Sequence, residues 1–107
     1  MRAILAAAAL ALVSACASQE PDPRIADGRV IAETQCARCH AVGMLDESPR
    51  PDAPVFRTIL SRYSAEALSE ELINGIQVAH PMPDFQFNPQ GVDSLIAYLR
   101  SIQREES

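Results

Sequence analysis

Five consecutive residues, Cys36-Ala37-Arg38-Cys39-His40, hold two thiols and an imidazole at a fixed spacing. Two thiols one helical turn apart can add across the two vinyl groups on one side of a porphyrin, which gives two thioethers. The histidine directly after the second thiol is then carried beneath the ring, where its imidazole can bind the iron from one axial side. Because C-x-x-C-H spacing is typical of c-type haem attachment, the sequence predicts one covalent haem at Cys36 and Cys39, with His40 as an iron ligand.

Three other interpretations of the same cysteines fit the sequence less well. A structural zinc site requires four ligands, but beyond the motif and the first 16 residues the only further cysteine or histidine is His80. The adjacent Cys39 and His40 could not easily both face one metal. A thioredoxin-like dithiol belongs beside strands of a βαβ pattern, whereas this motif ends a predicted helix. A disulfide between Cys36 and Cys39 is geometrically awkward. Haem is therefore the favoured interpretation.

Most of the chain has too few apolar residues to close a core without help. Apolar residues make up 48 % of the 107 positions, but they are concentrated in the first 17. Aromatic residues are 5 % and tryptophan is absent, in a chain near the size at which burial alone becomes marginal for stability. A haem is a large apolar disc, and enclosing it would supply the missing core.

The beginning of the chain has the three zones of a secretory signal peptide. Met1-Arg2 precedes an apolar run from Ala3 to Val13, which is too short to span a bilayer comfortably. Val13-Ser14-Ala15-Cys16 then resembles the bacterial lipobox, in which the cysteine becomes a lipidated N-terminus. Ordinary cleavage after Ala17 would also fit the small residues at this point. Lipidation of Cys16 is the favoured prediction.

These features predict the organisation and location of the protein. We expect residues 1–16 to be a signal peptide cleaved before Cys16, residues 17–24 a polar tether, and residues 25–104 the functional domain. The mature protein would lie on the periplasmic side of a bacterial envelope, anchored to a membrane through Cys16, because several acyl chains give stable attachment where one is marginal.

The charges exclude other classes of function. All nine basic residues are arginines, and 14 acidic residues bring the net charge to −5. An acidic chain without a basic stripe is a poor nucleic-acid binder. The length, with only four glycines, excludes a multidomain enzyme or a dinucleotide-binding fold.

Apolar spacing predicts four short helices joined by proline-rich loops. Three of them begin at capping residues, two with proline at the first helical position: Asp22-Pro23, Ser64 and Asn88-Pro89. The first helix runs to Cys36, and the other three carry apolar stripes: Phe56, Ile59, Leu60 and Tyr63; Leu68, Leu72 and Ile73; Leu95, Tyr98, Leu99 and Ile102. No segment alternates with period two, so the predicted fold class is all-α.

A second axial ligand would have to come from the opposite face of the ring, and so from far along the chain. Met44 is only four residues past His40 and cannot readily loop around the disc, so we expect it to fill the core. Met82 lies 42 residues beyond His40 between two prolines that would hold its loop extended. We favour Met82 over His80 and over an open site.

With these residues in place, the chain resembles the class I monohaem cytochromes c, particularly the small bacterial ones. The resemblance covers roughly residues 24 to 104 and rests on Gly28 eight residues before the first haem cysteine and on four segments: 36–40, Pro54-Val55-Phe56, Met82-Pro83-Asp84-Phe85, and Leu95-Ile96-Ala97-Tyr98-Leu99. Two features depart from the family. Ala32 stands where an aromatic residue is common, and no lysines are present to guide partners.

The resemblance implies a fold of about four helices wrapped around the haem, in which the first and last cross closely and Gly28 allows contact near Tyr98. It also implies that a proline carbonyl after the motif holds the second ring nitrogen of His40. Pro54 is the favoured equivalent, with Pro49 and Pro51 as competitors. The side chains expected around the macrocycle are Phe56, Ile59, Leu72, Ile76, Phe85, Leu95 and Leu99.

The predicted function is electron transfer between redox proteins by a monomeric carrier, not catalysis. With His40 and Met82 both bound, the iron would have no position left for a substrate or for oxygen. Two alternatives stay open: a haem-based sensor or gas-binding protein with a labile methionine, and a dedicated electron-transfer subunit of a dehydrogenase or reductase complex. Arg50 and Arg57 could pair with a haem propionate, but solvated surface positions are favoured for both.

Overall fold

The computed structural model describes residues 22–75 and 87–105. Within these ranges it contains helices and no strand, so the all-α prediction is confirmed. Helix α1 spans Pro23–Ile31 and continues directly into a π turn at Ala32–Cys36. A 3-10 helix follows at Phe56–Ser61, then helix α2 at Ala65–Asn74 and helix α3 at Pro89–Ile102. No helix in the described part of the chain combines the length and the apolar character that crossing a membrane requires.

The predicted caps are present at all three helices. The side-chain oxygens of Asp22, Ser64 and Asn88 accept a backbone N–H two or three residues further on, at 2.9, 3.1 and 2.7 Å. Each bond satisfies one of the N–H groups that a helix leaves without a partner at its beginning. Because Asp22 is the cap and Pro23 the first helical residue, residues 22–24 of the predicted tether belong to the start of α1.

The first helix widens in its last turn, which ends at Cys36. The Ala37 N–H bonds to the Ala32 carbonyl five residues back at 3.0 Å, which is the π-helical pattern. Within this turn, the Thr34 hydroxyl donates to the Val30 carbonyl at 2.8 Å. Such bonds from a side chain to the carbonyl four residues back disturb the regular α-helical geometry. The helix therefore reaches Cys36 as the sequence predicts, but its final turn is not α-helical.

Helices α1 and α3 touch at Gly28. A methyl group built on Gly28 would lie 1.9 Å from the Ser94 carbonyl oxygen and 2.8 Å from the Tyr98 Cβ. One turn later, Ala32 is completely buried. Small residues at both positions let the two backbones come together, and the expected contact between Gly28 and Tyr98 is confirmed.

The described part of the core is built mainly from α3, with contributions from the 3-10 helix and α2. Its larger members are Phe56, Ile59, Leu68, Leu72, Val92, Leu95, Tyr98, Leu99 and Ile102, together with Cys36. The last predicted stripe and most of the others are therefore buried as expected.

Three side chains expected inside are exposed. The second predicted helix is 3-10 with three residues per turn and ends at Ser61, so Tyr63 does not continue the face of Phe56 and Ile59 and is 47 % exposed. Ile73, also 47 % exposed, lies about 140° around α2 from Leu68 at 100° per residue. Met44 is 37 % exposed in the loop after the motif rather than filling the core.

Gly28→Ala tests the close crossing of α1 and α3. The added methyl would overlap a backbone oxygen that cannot rotate away, so the helices must separate, and we expect the free energy of unfolding to fall by about 2–3 kcal/mol. The control is Gly91→Ala, where the nearest atom is a side-chain oxygen of Asn88 at 3.1 Å. Its effect should stay within about 1 kcal/mol, partly because alanine favours a helix. Denaturant unfolding followed by circular dichroism compares the two, and equal losses would contradict the crossing.

Candidate haem-binding site

The motif forms a tight turn at the end of the first helix. The N–H groups of Cys39 and His40 both donate to the Cys36 carbonyl, at 3.2 and 2.9 Å. Cys36 and Cys39 are free cysteines. Cys36 is buried in the core cluster, whereas Cys39 and His40 are half-buried. One turn of chain therefore carries two unpaired thiols and an imidazole at the edge of the apolar core.

Cys36 is surrounded by apolar side chains. Burial raises the pKa of its thiol to about 11, because the charged thiolate is disfavoured away from water. The group is therefore neutral near pH 7. A thioether is also uncharged, so its formation at Cys36 would keep the apolar character of this position.

The imidazole of His40 is held by the backbone of the following loop. Its Nδ1 lies 2.7 Å from the Pro54 carbonyl oxygen. A carbonyl can only accept, so Nδ1 carries the proton and donates it, which leaves the lone pair on Nε2 free for a metal. Of the three prolines considered, Pro54 occupies this place. The ring also lies against Phe56, with the centroids 4.9 Å apart and the planes tilted by 42°.

Four hydrogen bonds hold the backbone groups on either side of His40. The Cys39 carbonyl accepts from Arg50 N–H at 3.1 Å, and the Ala41 carbonyl accepts from Phe56 N–H at 2.9 Å. The other two partners are side chains: the Ser48 hydroxyl accepts from Ala41 N–H at 2.9 Å, and the Tyr98 hydroxyl donates to the Val42 carbonyl. The segment that carries the imidazole is thus anchored on both sides of His40.

Sequence reasoning missed the roles of Ser48 and of the Tyr98 hydroxyl. A tyrosine inside an apolar helical stripe is a signal in itself, because its hydroxyl needs a partner when the ring is buried. Burial also raises the pKa of Tyr98, which keeps the hydroxyl protonated as a donor. Ser48 lies in a loop of polar residues and proline, where nothing in the sequence distinguishes it.

The two arginines considered for a propionate both have partners within the protein. Arg50 forms an ion pair with Asp52 at 3.0 Å, and burial is slight for both side chains. Arg57 donates to the Asp46 carbonyl at 2.6 Å. Both therefore brace the loop that returns from the motif to the 3-10 helix.

The residues present fit a covalently attached haem. Two free thiols and an imidazole with Nε2 available form the donor set, and Cys36 belongs to the same cluster as apolar side chains from the 3-10 helix, α2 and α3. Of the seven side chains expected around the macrocycle, five are in that cluster: Phe56, Ile59, Leu72, Leu95 and Leu99. Ile76 and Phe85 lie outside the described residues, as do Cys16, His80 and Met82. Which residue lies opposite His40 therefore stays a prediction.

Comparison with known families gives a match that covers most of the chain. The model of the family described as cytochrome c oxidase, cbb3-type, subunit III matches residues 23–99. This range begins at the first residue of α1, includes the whole motif, and ends three residues before the end of α3. Neither the curated proteins nor the solved structures contain a match to the chain.

Tyr98→Phe tests the anchoring of the segment around His40. Loss of the hydroxyl leaves the carbonyl of buried Val42 without its partner, and we expect the free energy of unfolding to fall by about 1–3 kcal/mol. Tyr63→Phe removes a hydroxyl from an exposed ring and should leave stability unchanged. Chemical denaturation of both variants provides the measurement. An equal response of the two tyrosines would show that the bond to Val42 contributes nothing.

Proposed function

The chain belongs to the family described as cytochrome c oxidase, cbb3-type, subunit III, and from that membership we propose that it is an exported monohaem cytochrome that passes single electrons between redox proteins. Membership establishes a cytochrome c domain, with covalently bound haem c and haem-based electron transfer as its general chemistry. The identity of the axial ligands, the export of the protein and its redox partners are proposed below.

The observation that carries the proposal is the arrangement of the motif. Two unpaired thiols lie on one turn beside an imidazole whose Nδ1 is bonded to the Pro54 carbonyl at 2.7 Å. That bond fixes the ring orientation and raises the basicity of Nε2. The imidazole of His40 therefore already has the fixed orientation and the free Nε2 lone pair that an iron ligand needs.

Each residue has a separate task in the proposed mechanism. Bound haem c supplies a one-electron Fe(III)/Fe(II) couple. Cys36 and Cys39 would hold the macrocycle through thioethers, and His40 would ligate the iron through Nε2. Met82 would be the second ligand, and a soft thioether would favour the ferrous state. With both residues bound, the iron would have no place for a substrate, so the proposed protein would carry electrons and not act as an enzyme.

The apolar cluster contributes to the potential. Its side chains would exclude water from one side of a bound haem, and the extra positive charge of ferric iron would be disfavoured in such surroundings. An electron gained from a donor would therefore be held on a carrier that favours reduction, and it would leave through whichever haem edge stays exposed.

Charge and anchoring determine which partners are suitable. The chain is acidic, with a net charge of −5, so we propose that its electron donor and acceptor present positive or neutral docking surfaces. Lipidation at Cys16 would keep a monomeric domain beside the membrane on the periplasmic side. Concentration at that surface would then replace part of the long-range electrostatic attraction.

A second function is favoured by the description of the family, which names an oxidase subunit. On this alternative the protein serves one redox complex as a dedicated electron-transfer subunit. Extraction of membranes with a mild detergent separates the two: a stable complex that survives purification supports the subunit, and recovery of the cytochrome alone supports the shuttle.

The main experiment is a visible spectrum with redox titration on protein expressed with cytochrome c maturation machinery. We expect haem that stays attached after denaturation, and a reduced spectrum that carbon monoxide does not change, because both axial positions are filled. Non-covalent haem would refute the roles of Cys36 and Cys39. Rapid binding of carbon monoxide would instead favour the sensor or gas-binding alternative.

Met82→Ala tests the second axial ligand. Removal of the thioether should open the sixth position to carbon monoxide and lower the reduction potential, because the ligand that favours ferrous iron is lost. Met44→Ala is the matched control, since Met44 is partly exposed in the loop after the motif and should change neither property. The opposite outcome for the two methionines would assign the ligand to Met44.

Cys16→Ser tests the membrane anchor. A serine cannot receive the thioether-linked lipid, so the protein should move from the membrane fraction to the soluble periplasmic fraction on cell fractionation. Haem content is the control, because Cys16 takes no part in haem attachment and the spectrum should stay normal. Unchanged fractionation of the variant would rule out the anchor.

A further inference from the structure

The side-chain amide of Gln103 makes three hydrogen bonds at the end of α3. Its Nε2 donates to the Phe56 carbonyl at 2.7 Å and to the Leu99 carbonyl at 2.9 Å. Its Oε1 accepts from the Leu60 N–H at 3.1 Å. The residue is half-buried. All the atoms of this amide that can form hydrogen bonds are therefore used, and two of the three bonds reach a distant part of the chain.

Gln103 bonds the two groups that would pair with each other in an α-helix. In that geometry the Leu60 N–H would donate to the Phe56 carbonyl four residues back. Here the amide of Gln103 lies between them and bonds both. The next residue continues the connection, because the Arg104 N–H donates to the Arg57 carbonyl at 2.7 Å. Gln103 and Arg104 thus bond the backbone groups of residues 56–61, which adopt the tighter 3-10 form.

Phe56 connects this contact to the candidate haem site. Its carbonyl is held by Gln103, its N–H donates to the Ala41 carbonyl at 2.9 Å, and its ring lies 4.9 Å from the ring of His40. Phe56 is also only 6 % exposed. A shift of the Phe56 backbone would therefore move the side chain that lies against the imidazole, and also Pro54 two residues earlier.

We infer that Gln103 is a positioning residue for the haem: acting through Phe56, it fixes the orientation of His40 and so sets the reduction potential. The inference rests on His40 as the axial ligand proposed above. Gln103 follows the last residue of α3 as its C-cap, and no feature of its sequence surroundings indicates a role at the iron.

The direction of the effect follows from the bond between His40 and Pro54. A hydrogen bond from Nδ1 raises the basicity of the imidazole, and a more basic ligand stabilises ferric iron. When Phe56 and Pro54 are less firmly held, this bond weakens on average. The ferric state then loses stabilisation, and the potential rises.

Gln103→Met is the test, because methionine has a similar length and no charge but neither donor nor acceptor of comparable strength. We expect the midpoint potential of the haem protein to rise, and the Leu60 amide to exchange with solvent about fivefold faster, the change expected for the loss of one hydrogen bond. The matched control is Ser101→Ala. Its hydroxyl donates to the Tyr98 carbonyl at 2.6 Å, at the same end of α3 but away from the 3-10 helix, so the potential should stay at the wild-type value.

Gln103→Glu carries the same test if the methionine variant does not fold. It keeps the oxygen that accepts from Leu60 and removes the donors to Phe56 and Leu99. Its negative charge alone would lower the potential, so it is compared with Ser101→Glu, which adds the same charge at the same helix end. We expect the potential of Gln103→Glu to lie above that of Ser101→Glu.

A double substitution tests the route. Phe56→Leu removes the ring beside His40 but keeps the backbone path from Gln103 to Pro54. Gln103→Met added to it should therefore still raise the potential, and any part of the shift that passes through the ring should be lost, because effects passed through a shared residue are not additive. Wild-type potentials in all Gln103 variants, or no shift at all in the Phe56→Leu background, would overturn the inference. A wild-type protein without histidine-ligated haem c would instead refute the proposed function.

Discussion

The hydrogen bond between His40 Nδ1 and the Pro54 carbonyl joins two segments that are otherwise separated by a long loop. On one side lies the end of the first helix with its cysteines, and on the other lies the beginning of the 3-10 helix. The 3-10 helix is held by Gln103 at the end of α3, and α3 returns to the first helix at Gly28. These contacts form a closed ring, so a displacement at any one of them would change the position of the His40 imidazole.

In the described part of the chain few large side chains are fully buried, and hydrogen bonds are correspondingly prominent in this ring. Val92 is the largest side chain that is fully enclosed among the residues described. A core of this size cannot fix the position of a loop by packing alone. Bonds from Ser48, Tyr98 and Gln103 to backbone groups take over that task, and haem c supplies apolar surface that the side chains do not.

Local features were predictable from the sequence, whereas contacts between distant residues were not. The caps at Asp22, Ser64 and Asn88 and the small residue at the helix crossing follow from rules that involve a few neighbouring positions or a known family pattern. The 3-10 form of residues 56–61 depends on an amide 43 or 47 residues away. For that reason the α-helical period wrongly predicted a buried Tyr63, whose side chain is exposed in the structure.

The same separation explains the missed site residues. The hydroxyl of Tyr98 reaches a carbonyl 56 residues earlier, and only the presence of a polar atom in an apolar stripe suggested that a partner was needed. Gln103 follows the last buried residue of α3 and has the appearance of an ordinary polar helix end. Its importance comes from the two backbone groups that happen to face it after folding.

The position of Gln103 also has a consequence for the order of events during biosynthesis. Cys36, Cys39 and His40 are synthesised well before Gln103, so the residues proposed to take the haem emerge while the contact between Gln103 and Phe56 does not yet exist. Attachment can therefore occur on an open chain whose thiols are not yet buried. The bonds from Gln103 to Phe56 and Leu60 can form only after these thiols have been made, so the proposed covalent attachment and the final positioning of His40 would be separate events.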